Sequence, residues 1–329
     1  MSKYKEIKGF KVQTLASDPS GPAINLGQVY YNSTSDAFKI TRTVTGTSTW
    51  ASGGNLNTAG AFGGGFGIQT AAVYATRYSP AGQQGIVESY NGSAWSEVND
   101  VNTARRELGS FGTQTAGLIC GGRPPTIANT ELYNGTNWTE VNDMNTARSD
   151  TSSQFGTQTS GIFATGYTTT PVVNVESWDG TNWTETGDVN NKRDYATGFG
   201  ASNTSGFIIG GSPNLTYVES WDGASWTETT EINTGRATLG GAGVVTSGLV
   251  FGGSAPTPSP TSRALTEEWN GSSWTEVADM ATARYSPGSA KNGSTIAALA
   301  FGGVVPPYSN ATEEFTAPSS VLNQTIGSS

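Results

Sequence analysis

ELYNGTNWTEVNDMNTAR, residues 131–148, is the stretch whose reading decides the fold of this chain. Four more stretches share its 18-residue layout: ESYNGSAWSEVNDVNTAR (88–105), ESWDGTNWTETGDVNNKR (176–193), ESWDGASWTETTEINTGR (219–236) and EEWNGSSWTEVADMATAR (267–284). Each opens on Glu, carries an aromatic residue two positions later and Trp at the eighth position, and ends on Arg. Five such copies in one chain mark a repeat architecture.

With Trp as phase marker, Trp50, Trp95, Trp138, Trp183, Trp226 and Trp274 follow one another at 45, 43, 45, 43 and 48 residues. A period near 45 belongs to four-stranded propeller blades. Each unit divides into four strands. The first is rich in small residues, as in ELGSFGT (107–113), and the second is apolar and ends near a double Gly, as in GLICGG (117–122). A loop of variable length leads to the third strand at Glu-x-aromatic. Asn-Gly or Asp-Gly, which tolerates the positive φ of a tight hairpin, then turns the chain into a fourth strand opened by Trp. Small residues suit the crowded centre of a propeller, and the large aromatics suit the space between blades, where each Trp buries about 150–250 Å².

The second-strand element and the Glu-x-aromatic element each occur six times, the last Glu being Glu313, after which no Trp strand follows. Trp50, in contrast, has no first or second strand before it. The reading is therefore an all-β, six-bladed propeller whose last blade is completed by residues around 44–52, leaving no open edge. The expected division is an attachment segment with a hairpin over 1–35, the propeller over 36–317 and a C-terminal tail over 318–329.

The double Gly, Glu-x-Tyr/Trp, the Trp five residues later and the closing DMNTAR (143–148) or DMATAR (279–284) resemble the kelch repeat over about residues 50–317. Departures are Ala75-Thr76 and Thr165-Gly166 in place of a double Gly, and Gly60 where an Arg is expected. LGQVYYNSTSDAFKI (26–40) has two β-prone runs around Asn32–Asp36, a hairpin signature. It resembles a short module of bacteriophage tail-fibre and virion proteins, and the resemblance implies attachment to a virion.

The chain has 329 residues and no His, which removes the commonest general base, the commonest zinc ligand and every Ser-His-Asp or Cys-His arrangement. It also excludes a copper oxidase of the galactose-oxidase type. The acidic residues recur in phase with the repeat, which argues for a structural role rather than a catalytic pair. No enzyme activity, cofactor or metal is expected. A net charge of −9 argues against a grip on nucleic acid. Lys3, Lys5, Lys8 and Lys11 give the first 35 residues a local +2 on an otherwise acidic chain. The single Cys120 excludes an internal disulfide. No apolar run spans a bilayer and the start lacks a signal-peptide core, so membrane insertion is not expected and assembly in the host cytoplasm is.

Trp50, Trp95, Trp138, Trp183, Trp226 and Trp274 are read as structural, as are Arg105, Arg148, Arg193, Arg236 and Arg284. Each Arg is expected to pair with a recurrent Glu, from either Glu88, Glu131, Glu176, Glu219 and Glu267 or the series Glu140, Glu185, Glu228 and Glu276. Individuality lies in the loops between second and third strands, which emerge on one face of a rigid scaffold, where recognition usually sits. Arg77, Tyr78, Arg123, Tyr167, Tyr217, Arg263 and Tyr308 are the candidate contact residues, Tyr and Arg being favoured in binding hot spots. The expected function is that of a non-enzymatic bacteriophage tail fibre or appendage presenting these loops to a host-surface receptor or glycan. The expected partners are other virion proteins, reached through the N-terminal segment, and further copies of the chain. The alternatives are a capsid decoration or tail joint of purely structural role, and a cellular kelch adaptor.

Overall fold

The computed structural model describes residues 13–16, 29–42, 47–149, 153–213, 215–255, 261–317 and 322–325. All regular structure among them is β, without a helix. The chain forms two compact units, one of residues 1–47 with 317–329 and one of residues 48–316.

In the smaller unit, Val29–Asn32 and Ala37–Arg42 form the hairpin that the sequence suggests, with Tyr31 opposite Phe38. Asn32 Oδ1 holds its turn by accepting from the backbone N–H of Thr34 and Ser35, both at 3.0 Å, as turn asparagines do. Gln13–Leu15 adds in parallel on one side and Leu322–Thr325 antiparallel on the other. Two boundaries thus differ from the sequence reading. Strand 37–42 belongs here rather than with the repeats, and residues 322–325 of the expected tail are a strand of this sheet. The four N-terminal lysines and residues 26–28 lie outside the described residues.

Among the described residues the larger unit holds six four-stranded antiparallel sheets. Their first strands are Gly64–Ile68, Gly109–Thr113, Gln154–Thr157, Thr197–Ser202, Gly240–Val244 and Gly288–Ser289. Second, third and fourth strands follow in chain order in the first five, the fourth opening on Trp95, Trp138, Trp183, Trp226 or Trp274. Each first strand lies against that of the next sheet, and the sixth lies against the first. Among the described residues no sheet closes on itself, and the arrangement is β-propeller-like. In the sixth sheet Thr49–Ser52 pairs with Thr312–Thr316, setting Trp50 opposite Phe315, whose ring lies 5.3 Å away. Residues 44–46 of the expected closing strand are outside the described residues.

Sheet packs on sheet through one repeated fit. Phe66, Phe111, Phe155 and Phe199, on successive first strands, lie over Gly117, Gly161, Gly206 and Gly248 at the start of the next sheet's second strand. A Cβ at any of these glycines would come within 2.2–2.4 Å of the ring, so only Gly fits. Further out, the third-strand aromatic stacks on the fourth-strand Trp with centroids 4.8–5.3 Å apart in the first five sheets.

Each of the six fourth-strand indole N–H groups reaches the preceding sheet, and one side chain selects its acceptor. Where the residue before the recurrent Glu is Thr, its Oγ1 accepts, as Thr130 does from Trp183, Thr266 from Trp50 and Thr312 from Trp95, at 2.9–3.0 Å. Where that residue is Val (Val87, Val175, Val218), the indole turns to a carbonyl beyond the preceding fourth strand, that of Asn99, Gly187 or Thr230, at 2.9–3.1 Å. A buried indole must be satisfied one way or the other. Thr130→Val is therefore expected to turn the Trp183 indole to a carbonyl beyond the preceding fourth strand, as in the Val units, and to change unfolding free energy by no more than about 1 kcal/mol, with Thr130→Ser keeping the hydroxyl acceptor, both read by urea unfolding.

Candidate functional site

The recurrent Arg could line a binding ring; its side chains are instead wholly internal. Arg105, Arg148, Arg193, Arg236 and Arg284 are 0% exposed. Each pairs with the opening Glu of the following unit: Arg105 with Glu131 at 2.5 Å, Arg148 with Glu176 at 3.2 Å, Arg193 with Glu219, Arg236 with Glu267 at 2.9 Å, and Arg284 with Glu313. Of the two Glu series considered, the first supplies the partners, extended by Glu313; the second, Glu140 and its equivalents, lies on the exposed side of the fourth strand.

The same carboxylates also accept two backbone N–H bonds from the linker that brings the Arg, as Glu131 does from Asn102 and Thr103 and Glu176 from Asn145 and Thr146. Meanwhile the backbone oxygens of Arg148, Arg193, Arg236 and Arg284 accept from the second glycine of the preceding sheet's Gly or Thr-Gly pair, at 2.9–3.3 Å. The first residue of that pair is left-handed, and a Cβ at Gly121, Gly210 or Gly252 would lie 2.5–2.9 Å from the same carbonyl. One residue thus fastens two sheets, the preceding one through its carbonyl and the following one through its guanidinium. Burial is the largest influence on Arg193, Arg236 and Arg284 and lowers their pKa, opposed by the paired carboxylate.

At the junction of the sixth and first sheets, where Gly60 replaces Arg, the two halves of this fastening come from different residues. The Gly60 carbonyl accepts from Gly303 at 2.9 Å. The guanidinium is that of Arg77, buried, 2.5 Å from Glu88 and 2.7 Å from the Thr58 carbonyl. A Cβ on Gly60 would lie 2.9 Å from the Cβ, Cγ and Cδ of Arg77, so the absence of a side chain at 60 makes room for it. The left-handed pair position in this sheet is Thr76, with the strand register shifting between Ala75 and Arg77, so the equivalent of the double Gly is Thr76-Arg77 rather than Ala75-Thr76. Residues 77–85 are then largely strand, Ala71–Ser79 paired with Gly82–Tyr90, and Arg77 is a core residue instead of a loop contact.

Above these fastenings, at the end where second strands leave and first strands begin, the side chains differ from unit to unit. The second residue after each Arg, or after Gly60, is left-handed wherever it is described: Phe62, Glu107, Tyr195, Thr238 and Ser286, with φ between 48° and 62°. Asp150, the equivalent in the third unit, lies outside the described residues. Glu107 N–H donates to Phe62 O, Thr238 N–H to Tyr195 O, and Ser286 N–H to Thr238 O, at 2.7–2.8 Å. A shared backbone shape thus carries five different side chains around the mouth between first strands.

Here a network forms. Arg123 pairs with Glu107 at 2.5 Å and donates to the Tyr195 hydroxyl at 3.2 Å. Arg106 stacks over Tyr78, 4.5 Å from its centroid, and lies 3.4 Å from Glu107. Tyr78 meets Tyr308 at 6.0 Å, and Phe62 meets Tyr285 at 6.4 Å. The Glu107 hydrogen bond, first of all, raises the pKa of Arg123, and the phenols of Tyr195 and Tyr167 add to it. Of the seven sequence candidates, Tyr78, Tyr308, Arg123 and Tyr167 come to this region. Tyr217 and Arg263 are exposed on other loops, and Arg77 is internal. Glu107, Arg106, Tyr195 and Asp194 were missed. Their signal was in the sequence, as the variable dipeptide directly after a near-constant Arg.

Nothing in this cluster forms a nucleophile–base pair, and no group of three potential metal-ligating residues exists among the described residues. Burial pushes the Cys120 thiol pKa up. No protein-family model matches the chain, and no curated protein matches it.

The divided fastening makes a paired prediction. Gly60→Arg and Arg77→Gly are each expected to destabilise the larger unit, the latter by about 3–5 kcal/mol because Glu88 is left buried and unpaired. The double substitution re-creates the arrangement of the other units and is expected to recover most of the loss in denaturant unfolding. Asp194 gives a pH prediction. It is 6% exposed, and burial, followed by the charge of Glu107, raises its pKa from 3.8, against the pull of Ser212 and Arg123. A raised carboxyl pKa means that the folded state holds the proton more tightly, so this contribution is fully present below pH 3.8 and is lost as pH rises through the raised value. Asp194→Asn is expected to be more stable than the parent at pH 7, with the difference shrinking toward pH 4 in thermal melts.

Proposed function

We propose that this chain is a non-enzymatic bacteriophage virion protein, a six-bladed kelch-like propeller closed by Thr49–Ser52 and carried by an N-terminal attachment unit. It presents the loop end of the propeller to a host-surface receptor. The observation that carries this reading is the contrast between a constant scaffold and variable ends. The same Arg–Glu fastening recurs beneath every unit, while the residues directly above it change identity, Phe62, Arg106, Tyr195 and Tyr285 among them being partly exposed. Rigid frames bearing variable polar and aromatic groups suit recognition. Closure is supported by the pairing of Trp50 with Phe315 and by cross-links from first sheet to sixth. Gln69 donates to the carbonyls of Ala298 and Phe315, and the Tyr90 hydroxyl to Glu314. The virion assignment rests on the hairpin at 29–42 and its likeness to tail-fibre modules.

The purified chain is expected to bind host cells saturably and to slow adsorption of the phage in a competition assay. A version lacking residues 1–47 is expected to remain folded and bind cells but to be missing from particles. If a particle reconstruction showed the loop end covered by neighbouring subunits, the structural reading, capsid decoration or tail joint, would replace this one.

A further inference from the structure

We propose that the ligand is a neutral saccharide and that it binds on one sector of the loop end, over Tyr78, Tyr308, Arg106, Arg123 and Tyr195. This rests on the host-binding reading and narrows it to a site and a chemistry. Tyr78, Tyr308 and Tyr195 are partly exposed, and Arg106 and Arg123 keep 25% and 32% of their side chains in solvent. The groups are held in place by one another, Tyr308 on Tyr78, Arg106 on Tyr78, and Arg123 on Glu107 and Tyr195, so little ordering cost remains for binding. Fixed aromatic faces beside planar donors match the apolar C–H face and hydroxyl edge of a pyranose ring.

Charge selects among sugars. Glu107 engages both Arg106 and Arg123, and Asp194 adds a second carboxylate, so the sector is balanced and offers no free cation for an acidic ligand. None of the strongly exposed large hydrophobic residues among those described, Phe38, Ile68, Tyr217, Val244 and Ile296, belongs to the sector, which argues against an apolar peptide anchor.

The test uses the full chain on a printed array of oligosaccharides of hexoses, N-acetylhexosamines and 6-deoxyhexoses, with sialylated and sulfated glycans alongside, and in parallel on host cells before and after periodate oxidation. The expected result is binding to a neutral glycan, and cell binding abolished by periodate. Tyr308→Ala and Arg106→Gln are each expected to weaken both at least tenfold, with Tyr217→Ala and Arg263→Ala unchanged and thermal melts confirming the fold of all four. Binding to cells that survives periodate, or to acidic glycans alone, would overturn the saccharide assignment while host binding stood. Loss on Tyr217→Ala or Arg263→Ala, with Tyr308→Ala and Arg106→Gln unaffected, would overturn the location. No binding to cells by the parent chain would overturn the host-binding reading itself.

Discussion

A guanidinium taken wholly out of water must be given a carboxylate and carbonyl acceptors, and this requirement shapes the larger unit more than any other. Burying the two charges is costly, and only dense hydrogen bonding offsets it. In the fourth and fifth sheets that density is plain. Besides their Glu, Arg193 bonds three carbonyls and Arg236 two, and each Glu also takes two backbone N–H groups and an Asn side chain. Such a site accepts one geometry, which fixes where the linker runs and therefore how far one sheet is displaced from the next. The apolar contacts, Phe on Gly and aromatic on Trp, then pack into a spacing already set.

Much of this was legible in the sequence because each device recurs. The strand order, the radial gradient from Gly to Trp and the borrowed partner of residues 312–316 follow from counting units. The Arg–Glu pairing was legible in kind, although the direction, from each Arg to the following Glu, needs the linker's path. Gly60 announced that something was missing without revealing Arg77, since a substitute arriving from a different strand leaves no trace in the repeat's phase. The same displacement explains why 77–85 looked like a loop.

The loop cluster was only half legible. Tyr78 and Tyr308 lie 230 positions apart in the chain and meet across the junction of first and sixth sheets, which placement on a common face does not specify. Glu107 and Tyr195 sit in the short linkers after the Arg, whose near-constant length does not mark them as a variable surface. Those linkers hold non-glycine residues in left-handed geometry, a local cost of about 1 kcal/mol or more each that the surrounding bonds must offset. Tyr, Glu and Phe there, where Gly or Asn would fit with less strain, mark positions at which side-chain identity matters.

The pairing of 49–52 with 312–316 has a consequence for biogenesis. Every other strand partnership in the repeats joins neighbours in sequence, so five sheets can assemble on short-range contacts as the chain leaves the ribosome. The segment around Trp50 is made early and then waits through some 260 residues of synthesis with its ladder groups unsatisfied. Its Thr-Trp-Ala-Ser sequence carries no charge to discourage a stray partner. Within the repeats this short strand is therefore the one that must stay available until residues 312–316 have been made, which leaves it open in the meantime to the same partner on a neighbouring copy.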